Sequence, residues 1–257
     1  MSEGGILKMK NVILSILMLV LSANVSAEGF LDGMVYDVRL GYNIGGTAPI
    51  GMPAEIRKLN SYTLQPNVQI GVDAQKCLDA HWGVMLSLLF ENKGMKEDAR
   101  VKNYHTAIVK GGQHLEGRFT GDVTTKVSEW MFSIPVQATY NFGENIRLKF
   151  GPYASVLVSK SFTGYAHNGY LRVGNPTGAK VNIGEKEGER GDYDFSDDMR
   201  RLQWGVALGC DWLLTNKFGV YLDLSWGLNG VHHSNFKVMD DTLYPIFGSV
   251  GVTYRLR

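Results

Sequence analysis

Residues 218–228 read FGVYLDLSWGL. Phe218, Val220, Leu222, Leu224, Trp226 and Leu228 are large and apolar, and Gly219, Tyr221, Asp223, Ser225 and Gly227 lie between them. Strict alternation marks a β-strand with two unlike faces. The second face is not a water-facing one, because it carries glycine, serine and one aspartate rather than Lys, Glu and Thr. The same pattern recurs at 36–42, 68–74, 82–90, 130–142, 146–158, 202–212 and 246–256, which makes eight strands.

The connections alternate in length. Residues 44–63, 92–125, 161–198 and 229–243 are long and polar, whereas 75–81, 143–145 and 214–217 are short turns. Long and short in turn is the signature of an up-and-down antiparallel sheet whose two ends meet different surroundings. With eight strands, both termini fall at the short-turn end. An eight-stranded barrel has an interior just wide enough for side chains to fill. Glycine, serine and isolated charges suit that interior, and the bulky apolar face suits lipid. The fold expected is therefore all-β, an eight-stranded up-and-down antiparallel transmembrane β-barrel. Strands of about 10 residues tilted by about 40° cross the ~25 Å apolar band of an outer membrane, and closure removes the unpaired edges that lipid could not hydrate. The localisation expected is the outer membrane of a Gram-negative cell, with both termini periplasmic and the long loops extracellular. A soluble lipocalin-like barrel would explain the alternation but not the loop lengths.

The tryptophans agree with the lipid-facing assignment. Trp82, Trp130, Trp204, Trp212 and Trp226 all lie on the apolar face near strand ends. Trp82 and Trp212 fall at the short-turn end and the other three toward the long loops, as two aromatic girdles would. On the opposite face lie Asp37, Arg39, Asp73, Glu91, Glu129, Arg147, Lys149, Asp211, Asp223 and Arg255. Unpaired, such charges would be costly in a closed lumen, so an interior salt-bridge network is expected. A charge-lined path for ions is the alternative.

Composition bounds the function. The chain has 257 residues, with 26 Lys and Arg against 25 Asp and Glu. No basic excess points to nucleic acid. Glycine, at 31 residues, is about 12%, against a usual ~7%. Lys8 and Lys10 precede a short apolar run, 12–21, and the small residues that end Val25-Ser26-Ala27. This describes a secretory signal peptide, 1–27, followed by a barrel domain, 28–257; Met9 is an alternative start. Cutting after Ala27 removes Lys8, Lys10 and Glu3 and leaves 24 basic and 24 acidic residues. Cys77 and Cys210 fall on nearly opposite sides of an eight-stranded ring, beyond the ~7 Å Cα limit for a disulfide, so two free thiols are expected. Pro135 and Pro152 interrupt strand patterns, and a bulge or kink is expected at each.

The segments 45–71 (GGTAPIGMPAEIRKLNSYTLQPNVQIG), 91–106 (ENKGMKEDARVKNYHT) and 134–143 (IPVQATYNFG) resemble the small outer-membrane β-barrel proteins of Bacteroidota, the PorT-like porin family group. Pro53-Ala54-Glu55-Ile56-Arg57-Lys58 and Lys93-Gly94-Met95 are the most specific matches. The resemblance covers essentially the whole mature chain. It implies an eight-stranded outer-membrane barrel and little about activity. The C-terminus departs from the usual aromatic ending and reads Tyr254-Arg255-Leu256-Arg257. Such a barrel would meet outer-membrane lipids and lipopolysaccharide, and periplasmic chaperones and the barrel-assembly machinery during biogenesis.

Several loop motifs invite chemistry. His232-His233-Ser234-Asn235 resembles the His-x-Ser-Asn of outer-membrane lipid A deacylases, in which a histidine takes the serine proton and an acid fixes its tautomer; only Asp240 and Asp241 follow here. Arg190-Gly191-Asp192 is a tripeptide known from integrin ligands. Asp192, Asp194, Asp197 and Asp198 are oxygen donors suited to Ca²⁺ but lack EF-hand spacing. Ile56 and Leu59, spaced i, i+3 beside Arg57 and Lys58, suggest a short helix that caps the barrel mouth or docks a partner. The expectation is a non-enzymatic structural or interaction protein that acts through its loops, without catalytic, cofactor-binding or metal-binding residues. A narrow pore for ions or small solutes comes second, and an outer-membrane lipid A hydrolase third.

Overall fold

In the computed structural model, the described residues are 33–51, 53–239 and 241–256; the signal peptide expected at 1–27 lies outside them. These residues form eleven β-strands and no helix. In chain order they are β1 (Met34–Pro49), β2 (Ile56–Thr63), β3 (Val68–Cys77), β4 (Trp82–Lys110), β5 (Gln113–Phe142), β6 (Ile146–Val173), β7 (Lys180–Ile183), β8 (Gly191–Asp194), β9 (Leu202–Leu213), β10 (Phe218–Gly227) and β11 (Leu243–Arg255). Eight of them close a ring in the order β1, β3, β4, β5, β6, β9, β10, β11, and β11 returns antiparallel to β1 from Asp37–Arg255 to Pro49–Leu243. Short β2, β7 and β8 pair outside the ring with β4 and β6.

The faces are inverted relative to a soluble protein. On β10, Leu222 is 64% exposed while its neighbour Tyr221 is 2% exposed. Leu40, Ile70, Leu86, Val136, Phe150, Leu208 and Val252 are likewise exposed, from strands all around the ring. So continuous an apolar surface would drive association in water; a bilayer solvates it, and the closed ladder leaves no strand edge unpaired. Trp82, Trp204, Trp212 and Trp226 stand on this outer face, and Trp130 stacks on Phe90 at 5.2 Å.

Strands β4, β5 and β6 differ most from the sequence reading. They have 29, 30 and 28 residues, against 10 for β3 and β10. Segments 92–125 and 161–198, expected as polar loops, are largely strand. The β4–β5 ladder runs from Trp82–Tyr140 to Lys110–Gln113. It turns at Gly111 and Gly112, whose φ values of 54° and 80° give the primed turn that matches strand twist. Beyond Phe90 and its partner Trp130 the polarity of the two faces exchanges. On β4, outward positions change from Leu88 and Phe90 to Lys96 and Arg100, while the inward side gains Met95, Ala99 and Val101. The extension therefore has its own apolar core, which includes Val101, Ile108, Phe119, Phe162, Leu171, Tyr193 and Phe195. We call it the cap.

Two further expectations are corrected. Residues 56–63 form β2, paired with Lys96 to Val101 of β4, and not a helix; β4 offers an edge that needs a partner. No bulge lies at Pro135 or Pro152. The register stays constant from Pro135–Tyr153 to Ala138–Phe150, and the prolines' missing N–H groups leave a gap in the ladder instead. The bulge lies farther along, where Trp130 faces Ser159 and Met131 faces Leu157, which leaves Val158 as the extra residue. It switches the buried set of β6 from odd positions such as Tyr153 and Leu157 to Phe162 and Ala166.

Candidate functional site

The strand pleat sends every second residue of each ring strand into the lumen. Eight of the ten charged residues singled out from the sequence form one alternating chain there. Arg255 contacts Asp37 at 3.3 Å, and Arg147 reaches Asp37 at 3.2 Å and Asp211 at 3.4 Å. Lys149 lies 2.6 Å from Asp211 and 2.9 Å from Asp223, and Arg39 lies 2.6 Å from Asp223 and 3.6 Å from Asp73. Four acids and four bases thus neutralise one another along the lower lumen. Arg39 also lies 3.9 Å from the centroid of the Tyr221 ring, whose hydroxyl donates to Gln69 at 2.7 Å.

Higher up, Glu91 accepts from Ser133 (2.6 Å) and Gln69 (2.9 Å) and pairs with Lys93 at 3.1 Å. Lys93 was missed in the sequence because residue 92 was taken as the start of a loop; the every-second-residue series Glu91, Lys93, Met95 was the available signal. Glu129 departs from the network expected for it. It is fully buried and accepts from Gln203 at 2.8 Å, but among the described residues no cation pairs with it, since Lys93 turns to Glu91. The packing is close. A Cβ on Gly209 would lie 2.0 Å from Asp223 Oδ1 and 2.7 Å from Lys149 Cε. The void among Arg39, Glu91, Lys93, Tyr153 and Asp223 measures about 30 Å³, room for a few water molecules at most.

Above the lumen, the cap forms an open-sided pocket of about 380 Å³, lined by Met95, Val101, Val123, Phe162, Phe195 and Leu243 among others. Among the described residues, Glu97 is the one charged residue in its wall. Desolvation pushes its carboxyl above the ordinary value. Ile56 and Leu59, the expected helix pair, both line this cavity from β2. Tyr193 closes one side: its ring stacks on Phe195 at 5.0 Å, and its hydroxyl lies 2.8 Å from Thr125 Oγ1. Nothing in the sequence alone flagged the cavity, because it forms between segments read as loops.

The loop motifs resolve into structural roles. His232 is buried, stacked on Phe236 at 4.5 Å and edge-on to Phe162 at 4.8 Å. Burial, with His233 and Lys160 adding to it, lowers its pKa to about 4. Ser234 is exposed, and among the described residues neither histidine hydrogen-bonds to it; Asp240 lies outside them. His233 and Ser234 open onto a groove of about 770 Å³ beside Trp204, with Arg201 and Lys237 in its wall. In the Arg-Gly-Asp tripeptide, Arg190 Nε donates to Asp192 at 2.7 Å, so the two charges satisfy each other. Asp194 accepts from the Ser196 amide at 2.9 Å, while Asp197 and Asp198 use their carbonyls to bind Lys160 and the His233 amide. No group of three metal-ligating side chains occurs among the described residues.

The cap also assembles Asp98, Thr124 and His167. Thr124 Oγ1 donates to Asp98 at 2.7 Å, and His167 Nε2 lies 2.9 Å from Asp98 and 3.2 Å from Thr124. Burial raises the Asp98 carboxyl, but hydrogen bonds from Asn60, Thr124 and His167 outweigh it and hold the group below its usual range. Acid and hydroxyl meet the same ring nitrogen, so this is not the relay of a nucleophile, base and orienting acid on successive atoms. Cys77 and Cys210 are both free.

A family model described as outer membrane protein beta-barrel domain matches residues 29–233. No curated protein matches the chain. Among solved structures, Ail, the attachment invasion locus protein of Yersinia pestis, aligns at 10% identity over 87% of this chain and 97% of its own, with a TM-score of 0.34. NanC porin aligns at 13% identity over 86% and 100%, with a TM-score of 0.28. OprG from Pseudomonas aeruginosa aligns at 15% identity over 88% and 96%, with a TM-score of 0.28. With most of its length under that one family model and its faces turned to suit lipid, the chain belongs to the outer-membrane β-barrel domain family.

Proposed function

We propose that the protein is a non-enzymatic interaction protein of the outer membrane that presents its cap to the cell exterior and keeps both termini in the periplasm. The observation that carries this reading is the continuation of β4, β5 and β6 into an ordered cap with its own apolar core. A barrel that only anchored itself would end at the girdle. In this reading residues 1–27 are the export signal, and the chain is one of the PorT-like barrels of Bacteroidota that its first loop and third strand resemble. Biogenesis then uses periplasmic chaperones and the barrel-assembly machinery. Lipopolysaccharide phosphate meets Arg201 and Lys237 in the groove beside Trp204, at headgroup level. The pore reading is weaker, since ion pairs and side chains such as Met85, Met131 and Phe247 fill the lumen.

An epitope inserted between Gly111 and Gly112 tests the orientation. It is expected to bind antibody on intact cells; binding only after permeabilisation would reverse the topology. Planar-bilayer recording of the refolded barrel tests the closed lumen. Silence is expected, and stable ion-selective steps would establish the pore instead.

A further inference from the structure

The cap cavity has the features of a ligand site. Its volume of about 380 Å³ lies in the range of small-molecule pockets. Its wall is mostly apolar or aromatic, with Phe162, Phe195, Tyr104 and Tyr193 supplying rings and Thr47, Thr106 and Thr125 supplying hydroxyls. Against this background stands one carboxyl among the described residues. Glu97 alternates inward with Met95 and Ala99 on β4, lines the cavity, and has no cation paired with it among the described residues. Lys96 and Arg100 point away on the opposite face of the same strand. A carboxylate half-buried in apolar surroundings without a partner is unfavourable, and aromatic faces attract cations. An occupant that brings a positive charge to Glu97 and apolar surface to the rest would relieve both deficits.

We infer that the cap binds a small, mostly apolar amine, its ammonium against Glu97 and its hydrocarbon part among Met95, Val101, Val123 and Phe162. The inference concerns the cap alone and does not depend on which way the barrel faces.

Octylamine is a suitable probe, because an alkylamine is charged at neutral pH, as lysine is, and octanol is its neutral counterpart. The full protein is refolded into lipid nanodiscs with methyl-labelled methionine, so that the Met95 and Met239 signals report on the cavity wall rather than on partition into lipid. Octylamine is expected to shift both signals saturably. Octanol should bind on the order of tenfold or more weakly, the usual worth of a hydrogen bond to a charged group. Glu97→Gln should weaken octylamine by a similar factor and leave octanol unchanged, while Ala99→Phe, which fills the space, should remove both. Absence of a saturable shift with octylamine would overturn the site. Equal affinity for amine and alcohol would overturn the cation assignment, as would octylamine binding unchanged by Glu97→Gln. Heat-modifiable gel migration verifies that each variant has folded. Should Glu97→Gln not fold, the ratio of amine to alcohol affinity in the unmodified protein decides alone.

Discussion

Replacing Arg39 with alanine tests the ion-pair chain at its most constrained link. Arg39 is 1% exposed and holds Asp223 at 2.6 Å and Asp73 at 3.6 Å. Asp223 keeps Lys149 at 2.9 Å in the variant, but Asp73 loses its recorded ion-pair partner. Removing one member of a buried pair costs about 3–5 kcal/mol, because the remaining charge stays buried and uncompensated. A surface pair would cost about 1 kcal/mol or less. The assay is urea unfolding of the refolded barrel in vesicles, followed by the five tryptophans. Adding Asp73→Asn to the variant removes the stranded charge and is expected to restore at least half of the loss. A single-variant cost below about 1 kcal/mol, or a double variant whose losses simply add, would refute the view that these charges pack the lumen as one network.

Three other outcomes follow from local geometry. His232, ordinarily near 6.5, is held at about 4 in the folded cap. The unfolded cap therefore takes up a proton that the folded one refuses, and cap stability falls as pH drops from about 6.5 to about 4, by about 1–2 kcal/mol after allowance for solvent screening. Protection factors of the Met199 and Val231 amides, taken relative to the intrinsic exchange rate at each pH, should fall over that window, and His232→Phe should flatten the dependence. Gly209→Val should destabilise the barrel by about 1–3 kcal/mol, since its side chain would occupy the positions of Asp223 and Lys149; unfolding midpoints in urea measure this. A water-soluble maleimide should label one thiol per folded barrel in vesicles, the exposed Cys77, while Cys210 on the lipid-facing side of β9 reacts after denaturation; mass spectrometry counts the labels.

The barrel was legible because lipid imposes one rule on every strand within it. Alternation such as Phe218, Val220, Leu222 survives wherever one face must be apolar, and closure then fixes which face that is. The cap obeys the opposite rule. On β4 the change from Phe90 outward to Met95 inward exchanges the two faces within a few residues, so a pattern sought with constant sign stops at the girdle. On β6 the extra residue Val158 shifts the period by one and hides Phe162 and Ala166. Glu97 was invisible for a related reason: a single acid in a polar stretch reads as solvated until the opposing walls are known. No bulge was needed at Pro135 or Pro152, because a missing N–H can be absorbed as a gap in an otherwise unshifted ladder.

The unbroken course of β4, β5 and β6 from barrel to cap has a mechanical consequence. Tension applied at the Gly111–Gly112 tip draws β4 and β5 together along their own direction, so it loads the β3–β4 and β5–β6 ladders that hold the hairpin in the ring in shear rather than peeling their rungs one at a time. The weakest stations on the β5–β6 ladder are its two offsets, between Thr120 and Asp122 on β5 and at Val158 on β6. Whatever grips the tip pulls on a stiff rod rooted in the membrane, and yielding should begin at those offsets while the ion-paired base holds.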